Sequence, residues 1–171
     1  REFGGCAGNI AYNLKLLGGD PIPMATVGQD FGPYREWFTE QGINMEQVKV
    51  IDELFTPQAF IITDTDNNQI TAFHPGAMMR SYENHVKDVK GVTFGIVSPD
   101  GREGMLQNAT EFAEAGIPFI FDPGQAMPLF NGEELRHFIE QADYVTVNDY
   151  ESNLLQERTG WSEGDIVQRV K

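Results

Sequence analysis

The chain has one cysteine, Cys6, and that scarcity excludes an intramolecular disulfide. A reducing compartment fits, and a cytoplasmic location is expected. Because Cys6 lies among glycines and small residues, its thiol is expected to be packed rather than reactive. Positive charge is also scarce, with 12 Lys and Arg against 26 Asp and Glu and a formal net charge of −14. A nucleic-acid partner is therefore excluded, since binding a phosphate backbone needs a basic surface. A small phosphorylated ligand is not excluded, because backbone N–H groups, helix N-termini and Mg²⁺ hold such groups without a basic surface. Long hydrophobic runs are missing too. Gly116–Phe121 is among the longest and is far too short to span a bilayer, so no membrane partner is expected. No repeat and no low-complexity segment occurs. There is no Walker A sequence, and no G-x-G-x-x-G follows a strand, which disfavours a dinucleotide-binding domain. The sequon Asn108-Ala109-Thr110 falls in a predicted helix and is discounted.

What is present is one domain's worth of ordinary globular sequence, 171 residues of which 40% are hydrophobic and 22% charged. Apolar residues at Ala7, Ile10, Ala11, Leu14 and Leu17 have amphipathic helical spacing, stopped by Gly18-Gly19. Met24–Val27 reads as a short strand ending in Gly28, followed by a helix with Pro33 in its first turn and Gly42 at its end. Val48–Ile51 reads as another strand. "QAFIITDTDNNQITAFH" reads as a hairpin around a polar turn at Asp64–Asn68. "DTDNN" matches the start of an EF-hand loop, but Gln69 stands where that loop needs Gly, and Pro75 where it needs a bidentate Glu. It is read as a turn.

From residue 92 onward the chain alternates. Strands are predicted at Val92–Val97, Pro118–Phe121 and Tyr144–Val147, and helices at Arg102–Ala115, Glu133–Gln141 and Tyr150–Arg158. A last helix is N-capped by Ser162. This rhythm predicts an α/β fold with a mainly parallel sheet flanked by helices on both faces. Ligands of such sheets bind beyond the carboxyl ends of the strands. Ser98 and Asp100, then Asp122, then Asn148 and Glu151 stand at those three ends. Asn148 and Glu151, three apart at a helix start, share one face, where a carboxylate can order a Mg²⁺ hydration shell. At the other end of the chain, Gly4-Gly5 permits close backbone approach to a small molecule, and Asn9 can bond its hydroxyls.

Together these stretches resemble the PfkB (ribokinase-like) carbohydrate and nucleoside kinases. "FGGCAGNIAYNLKLLGG" is similar to the first family signature and "TVGQDFG" to the second glycine-aspartate element. "FHPGA" resembles the end of a lid hairpin, and "NDYE" the N-x-x-E motif. The resemblance implies a ribokinase-like core over 1–56 and 77–171, with a small β lid at 57–76. It implies ATP and Mg²⁺ as cofactors and a phosphoryl transfer to a hydroxymethyl group of a sugar or nucleoside. Gly4, Gly5 and Asn9 would contact substrate hydroxyls, with Ser98 and the lid residues Gln58, Phe60 and Phe73 added as substrate contacts. Asn148, Glu151 and Asp122 would serve the cofactor, Glu151 reaching the metal through water. "DPGQ" and "REFGGCAGN" look most like the adenosine-kinase-like branch, and the lid is a possible route to a homodimer.

One family element has no counterpart here, the glycine-rich anion hole ending in an aspartate base, of the type D-T-x-G-A-G-D. No catalytic residue is therefore assigned within the chain. The base is expected C-terminal of Lys171, and a first strand upstream of Arg1. The sequence reads as a piece of a kinase, expected to be inactive and marginally stable alone, with an exposed apolar face. The alternative is a non-catalytic small-molecule-binding or interaction module derived from the same fold.

Overall fold

The computed structural model describes residues 2–171, in which the chain forms two compact units, one ending at Asn84 and one running His85–Lys171. Among the described residues, no helix is long and apolar enough to cross a membrane.

In the first unit, α1 (Cys6–Leu16) and α2 (Gly32–Glu40) accompany two parallel strands, β1 (Ala25–Gly28) and β2 (Val48–Ile51). Ala11, Val27, Phe31, Phe38 and Ile43 form the core, with Tyr12, Tyr34, Trp37 and Val50 packed around it. Phe3, Tyr34 and Phe38 stack in a row with centroids 4.6 and 4.5 Å apart. Gly8 lets α1 press onto this row, because a Cβ there would overlap the Tyr34 hydroxyl. Cys6, expected to be packed, is exposed instead. It is the first residue of α1, outside the face that Gly8 and Ala11 bury.

An antiparallel hairpin, β3 (Gln58–Thr63) and β4 (Gln69–His74), completes this unit. Asp64 closes its turn by accepting the Asp66 and Asn68 N–H groups at 2.8 and 2.9 Å, with Asn67 left-handed at φ 62°. The hairpin's root is a close passage of backbone past backbone. The Gln29 N–H donates to the Leu54 carbonyl (3.0 Å) and the Ala77 N–H to that of Phe55 (2.9 Å). A Cβ on Gly28 would strike Leu54 and Phe55, and one on Gly76 would strike Phe55. A 3₁₀ stretch, Gly76–Glu83, follows and is tied back to β1 by Thr26 Oγ1 donating to the Ala77 carbonyl (2.6 Å).

The second unit has three parallel strands in the order β5 (Gly95–Val97), β6 (Phe119–Phe121), β7 (Tyr144–Val145). Four helices accompany them: α3 (Arg102–Ala115), α4 (Gly132–Gln141), α5 (Asp149–Thr159) and α6 (Glu163–Arg169). Val97, Phe119 and Phe121 are buried, Phe119 against Phe112 of α3 and Phe121 stacked 4.4 Å from Phe138 of α4. Phe94, Ile96 and Tyr144 on the opposite side are exposed. The strands are shorter than predicted, with three residues of β6 paired to β5 and two to β7. Two further 3₁₀ segments, Val86–Asp88 and Gly124–Leu129, were not foreseen.

This packing makes stability testable at two positions. Gly8→Ala should cost about 1–3 kcal/mol through overpacking, while Gly8→Ala with Tyr34→Phe should recover part of that loss by removing the obstructing hydroxyl. An unchanged thermal midpoint for the single variant would show that α1 does not seat on Tyr34. The second position is Asp100, whose carboxyl burial pushes up to about 7, against the lowering effect of the Gly101 N–H on Oδ1 at 2.8 Å. A raised native pKa means stability that is present at low pH and lost as pH rises toward 7. Asp100→Asn should therefore gain stability over the wild type progressively between about pH 4 and pH 7. Denaturant midpoints at pH 4.5 and pH 8 check this, and a difference independent of pH would refute it.

Candidate functional site

The predicted site residues divide between the two units. In the first, Gly5 is the N-cap of α1 with φ 91°, a left-handed conformation that favours glycine. A Cβ on Gly4 or Gly5 would meet nothing within 4 Å, so neither glycine is there to let protein pack against it. The Gly4 carbonyl is held by the Tyr34 hydroxyl, which donates to it at 2.9 Å. Asn9 lies one turn into α1 on the exposed side, its backbone N–H bonded to the Gly5 carbonyl (2.9 Å). Its side-chain amide has no protein partner among the described residues. The loop therefore presents open backbone and one uncommitted amide, the equipment for bonding hydroxyls. Tyr34 carries no motif signal; only its helical phase toward α1 marks it in the sequence.

The hairpin residues do not form one surface. Register pairs Gln58 with His74, Phe60 with Ala72 and Ile62 with Ile70, while Phe73 pairs with Ala59 and Thr71 with Ile61. Opposed residues share a face and successive residues alternate. Gln58, Phe60, Ile62, Ile70 and His74 therefore lie on one face, and Ile61 and Phe73 on the other. Phe60 and Phe73, predicted together, point to opposite sides, and each is more than half exposed, at 58% and 53%. Gln58 is half-buried and its Nε2 donates to Asp30 Oδ2 at 3.0 Å.

In the second unit, Asp122, Val145, Thr146, Val147, Asn148 and Glu151 line a cleft of about 420 Å³ beyond the ends of β6 and β7. Asn148 is the extended N-cap of α5, and its side-chain oxygen accepts the Glu151 N–H at 2.9 Å. The Glu151 carboxylate accepts the Asn148 N–H in return, also at 2.9 Å. This reciprocal box satisfies two otherwise orphaned donors of the helix start. The same device opens α4 at Asn131 and Glu134, itself an N-x-x-E, and α6 at Ser162 and Asp165. Surroundings separate the two N-x-x-E boxes. Glu134 is ion-paired with Arg102 on the surface, whereas Glu151 shares its cleft with a second carboxyl. Burial pushes the Asp122 carboxyl above its ordinary range, and the negative charge of Glu151 pushes it further.

Ser98, at the end of β5, is half-buried and not among the residues lining this cleft. Among the described residues, no three His, Cys, Asp or Glu gather to enclose a metal. A carboxyl raised by a neighbouring carboxylate nevertheless suits a hard dication that keeps most of its waters, because the cation's charge would offset that of Glu151 at Asp122. The Mg²⁺ expected from the sequence fits this donor set, with Asp122 and Glu151 as the residues to hold it.

The family model for pfkB family carbohydrate kinases matches residues 1–171. A nucleoside kinase of Methanocaldococcus jannaschii is 30% identical over 176 residues, which cover 99% of this chain and 56% of that protein. A structure of the Burkholderia thailandensis nucleoside kinase in complex with inosine is 56% identical, with a TM-score of 0.96. The match covers 99% of this chain and 56% of that one. The same kinase in complex with ADP-inosine gives a TM-score of 0.94, over 99% of this chain and 54% of that one. The chain thus spans about half the length of the relatives it matches. With residues 1–171 matched by the family model and a ribokinase-like α/β fold carrying them, the chain belongs to the pfkB family of carbohydrate kinases.

Proposed function

We propose that the protein transfers the γ-phosphoryl group of ATP to a hydroxymethyl group of a nucleoside, with Mg²⁺. The observation that carries this reading is the cleft in which Glu151, capped onto Asn148, faces Asp122 across a strand end. The relatives support the acceptor class, since the Burkholderia thailandensis structures hold inosine and ADP-inosine. Such a transfer is catalysed mainly by positioning and by charge stabilisation.

The residues then take the following roles. Gly4, Gly5 and Asn9 hold acceptor hydroxyls, with Tyr34 fixing the Gly4 carbonyl, and Ser98 is retained as a further substrate contact. Asn148, Glu151 and Asp122 organise the phosphates, Glu151 acting through water. Mg²⁺, when bound, would neutralise charge on the phosphate oxygens. The aspartate base that accepts the hydroxyl proton is expected C-terminal of Lys171, so these 171 residues alone are expected to be inactive. Residues 57–76 act as the lid on a core made of 1–56 and 77–171, excluding water that would otherwise compete as ATP hydrolysis. Only one hairpin face can cover a substrate, and both are apolar and exposed. The second face supports a homodimer through the lid, since exposed strands and apolar patches are otherwise association hazards.

Glu151→Gln in the full-length protein tests this reading. A glutamine still accepts the Asn148 N–H, so the helix start survives while the charge is lost. Activity should fall about 10- to 100-fold, as for other residues that support a metal through its water shell. Stability should change by no more than about 0.5 kcal/mol. Glu134→Gln, the same substitution in the other N-x-x-E box, should leave activity near wild type. Equal losses in both variants, or none in Glu151→Gln, would sink the assignment of this cleft to phosphate and metal.

A further inference from the structure

The glycine-aspartate element "TVGQDFG" gives its aspartate, Asp30, no obvious task. Asp30 follows β1 and precedes α2, far from the cleft residues in sequence. Its carboxylate nonetheless spans the first strand of the hairpin at its root. Oδ1 accepts the Thr56 backbone N–H at 2.8 Å, and Oδ2 accepts the Gln58 side-chain Nε2 at 3.0 Å. Thr56 closes the arrangement by accepting the Gly28 N–H on Oγ1 at 3.1 Å. All three side chains are half-buried, and charge-assisted bonds of this kind are about twice as strong as neutral ones.

The rest of the hairpin has few means of holding its own angle. Its twelve strand residues are exposed except Gln58, and a two-stranded hairpin without a core is marginal by itself. Its setting is therefore decided at the root, where Gly28 and Gly76 admit the crossing backbones and Asp30 reads a side chain of β3. Gln58 is in phase with Phe60 and Ile62 along the strand. By drawing Gln58 inward, Asp30 selects the face that turns toward the β1–α2 loop. Phe60 belongs to that face and Phe73 to the other.

We propose that Asp30 is a positioning residue for the lid: its carboxylate latches Thr56 and Gln58 so that the Phe60 face turns toward the substrate and the Phe73 face turns away. The proposal rests on the nucleoside-kinase reading for its substrate, but the latch itself does not. It also sharpens the sequence expectation, in which Phe60 and Phe73 were both substrate contacts.

The test uses the full-length protein, four latch variants (Asp30→Ala, Asp30→Asn, Gln58→Glu, and Asp30→Asn with Gln58→Glu) and two face variants, Phe60→Ala and Phe73→Ala. Asp30→Ala removes both acceptors. Gln58→Glu sets two carboxylates against each other. In the double variant the introduced asparagine still accepts the Thr56 N–H on its side-chain oxygen. Its amide donates to the introduced carboxylate, so the latch is rebuilt with polarity reversed. Asp30→Asn alone keeps it if the Gln58 amide turns over. Backbone amide exchange over residues 56–74 should quicken in Asp30→Ala and Gln58→Glu and return toward wild type in the double variant. The nucleoside KM should rise about tenfold or more in the two disrupted variants, with kcat changed less, and ADP formed per phosphorylated nucleoside should exceed one as water gains entry. Phe60→Ala should raise KM, and Phe73→Ala should leave it unchanged. A double variant as impaired as Gln58→Glu, or unaltered exchange in Asp30→Ala, would overturn the latch. If no nucleoside is phosphorylated by the wild type, amide exchange still decides the latch and the functional reading alone fails.

Discussion

A hairpin whose strand residues are exposed apart from half-buried Gln58 is held in place where it leaves the body of the protein. That constraint organises the first unit. The chain reaches the hairpin through residues 54–56 and returns through 75–77, and both segments pass directly over the end of β1. Gly28 and Gly76 permit the passage, the Leu54 and Phe55 carbonyls accept N–H groups across it, and Thr26 ties the returning segment to β1. The two glycine-containing motifs "TVGQDFG" and "FHPGA" are therefore one structural feature seen from its two sides. Between them in sequence lie α2, β2 and the hairpin itself. Any motion of the hairpin as a lid must turn about this crossing, because few contacts elsewhere on it oppose motion.

The second unit is governed by a different constraint, the cost of placing carboxyls at the ends of parallel strands. Asp100 and Asp122 both lie there, and both are pushed up by burial. They differ in what surrounds them. The half-buried Asp100 carboxyl is pushed up to about 7 by loss of water, against the opposing effect of the Gly101 N–H that it accepts. Asp122 opens onto a cleft shared with Glu151, and the Glu151 charge adds to its shift. A bound dication would offset the Glu151 charge that raises Asp122. The structure thus separates a carboxyl that serves stability at low pH from one suited to chemistry, a distinction invisible in "SPDG" and "FDPG".

Much of the architecture was legible because it is carried by local rules. Helix α3 and strand β2 were read at their observed ends, since a 3.6-residue period bounded by Gly101 and Gly116, and a short apolar run, need no tertiary information. The Asp64–Asn68 turn and the Ser162 cap likewise follow from side chains bonding their own backbone. What escaped depends on distant partners. The 3₁₀ segments at 76–83, 86–88 and 124–129 are too short to show a period. The length of β7 is set by how much of β6 is left to pair. Cys6 was misplaced because small neighbours suggest packing, whereas its position at the first turn of α1 exposes it. Of the candidate site, Asp122 was selected by strand-end position and Asn148 with Glu151 as a pair on one helix face, and all three line one cleft. Asp30 and Tyr34 were not selected, because their partners lie 26 to 30 residues away.

The two N-x-x-E boxes show why local sequence alone does not assign function. Asn131–Glu134 and Asn148–Glu151 have the same residues at the same spacing, the same reciprocal hydrogen bonds and the same helix-start geometry. Capping accounts fully for the first pair, whose glutamate spends its charge on Arg102. It accounts only partly for the second. Glu151 commits one oxygen, Oε2, to the Asn148 N–H and leaves Oε1 without a protein partner among the described residues. Its charge is felt by Asp122 rather than matched by a cation among those residues. A capping box thus becomes a candidate phosphate and metal site when the sheet delivers a second carboxyl to the same cleft and no arginine pairs with the first. The motif supplies the geometry of the carboxylate, and the end of β6 supplies the second carboxyl that shares its cleft.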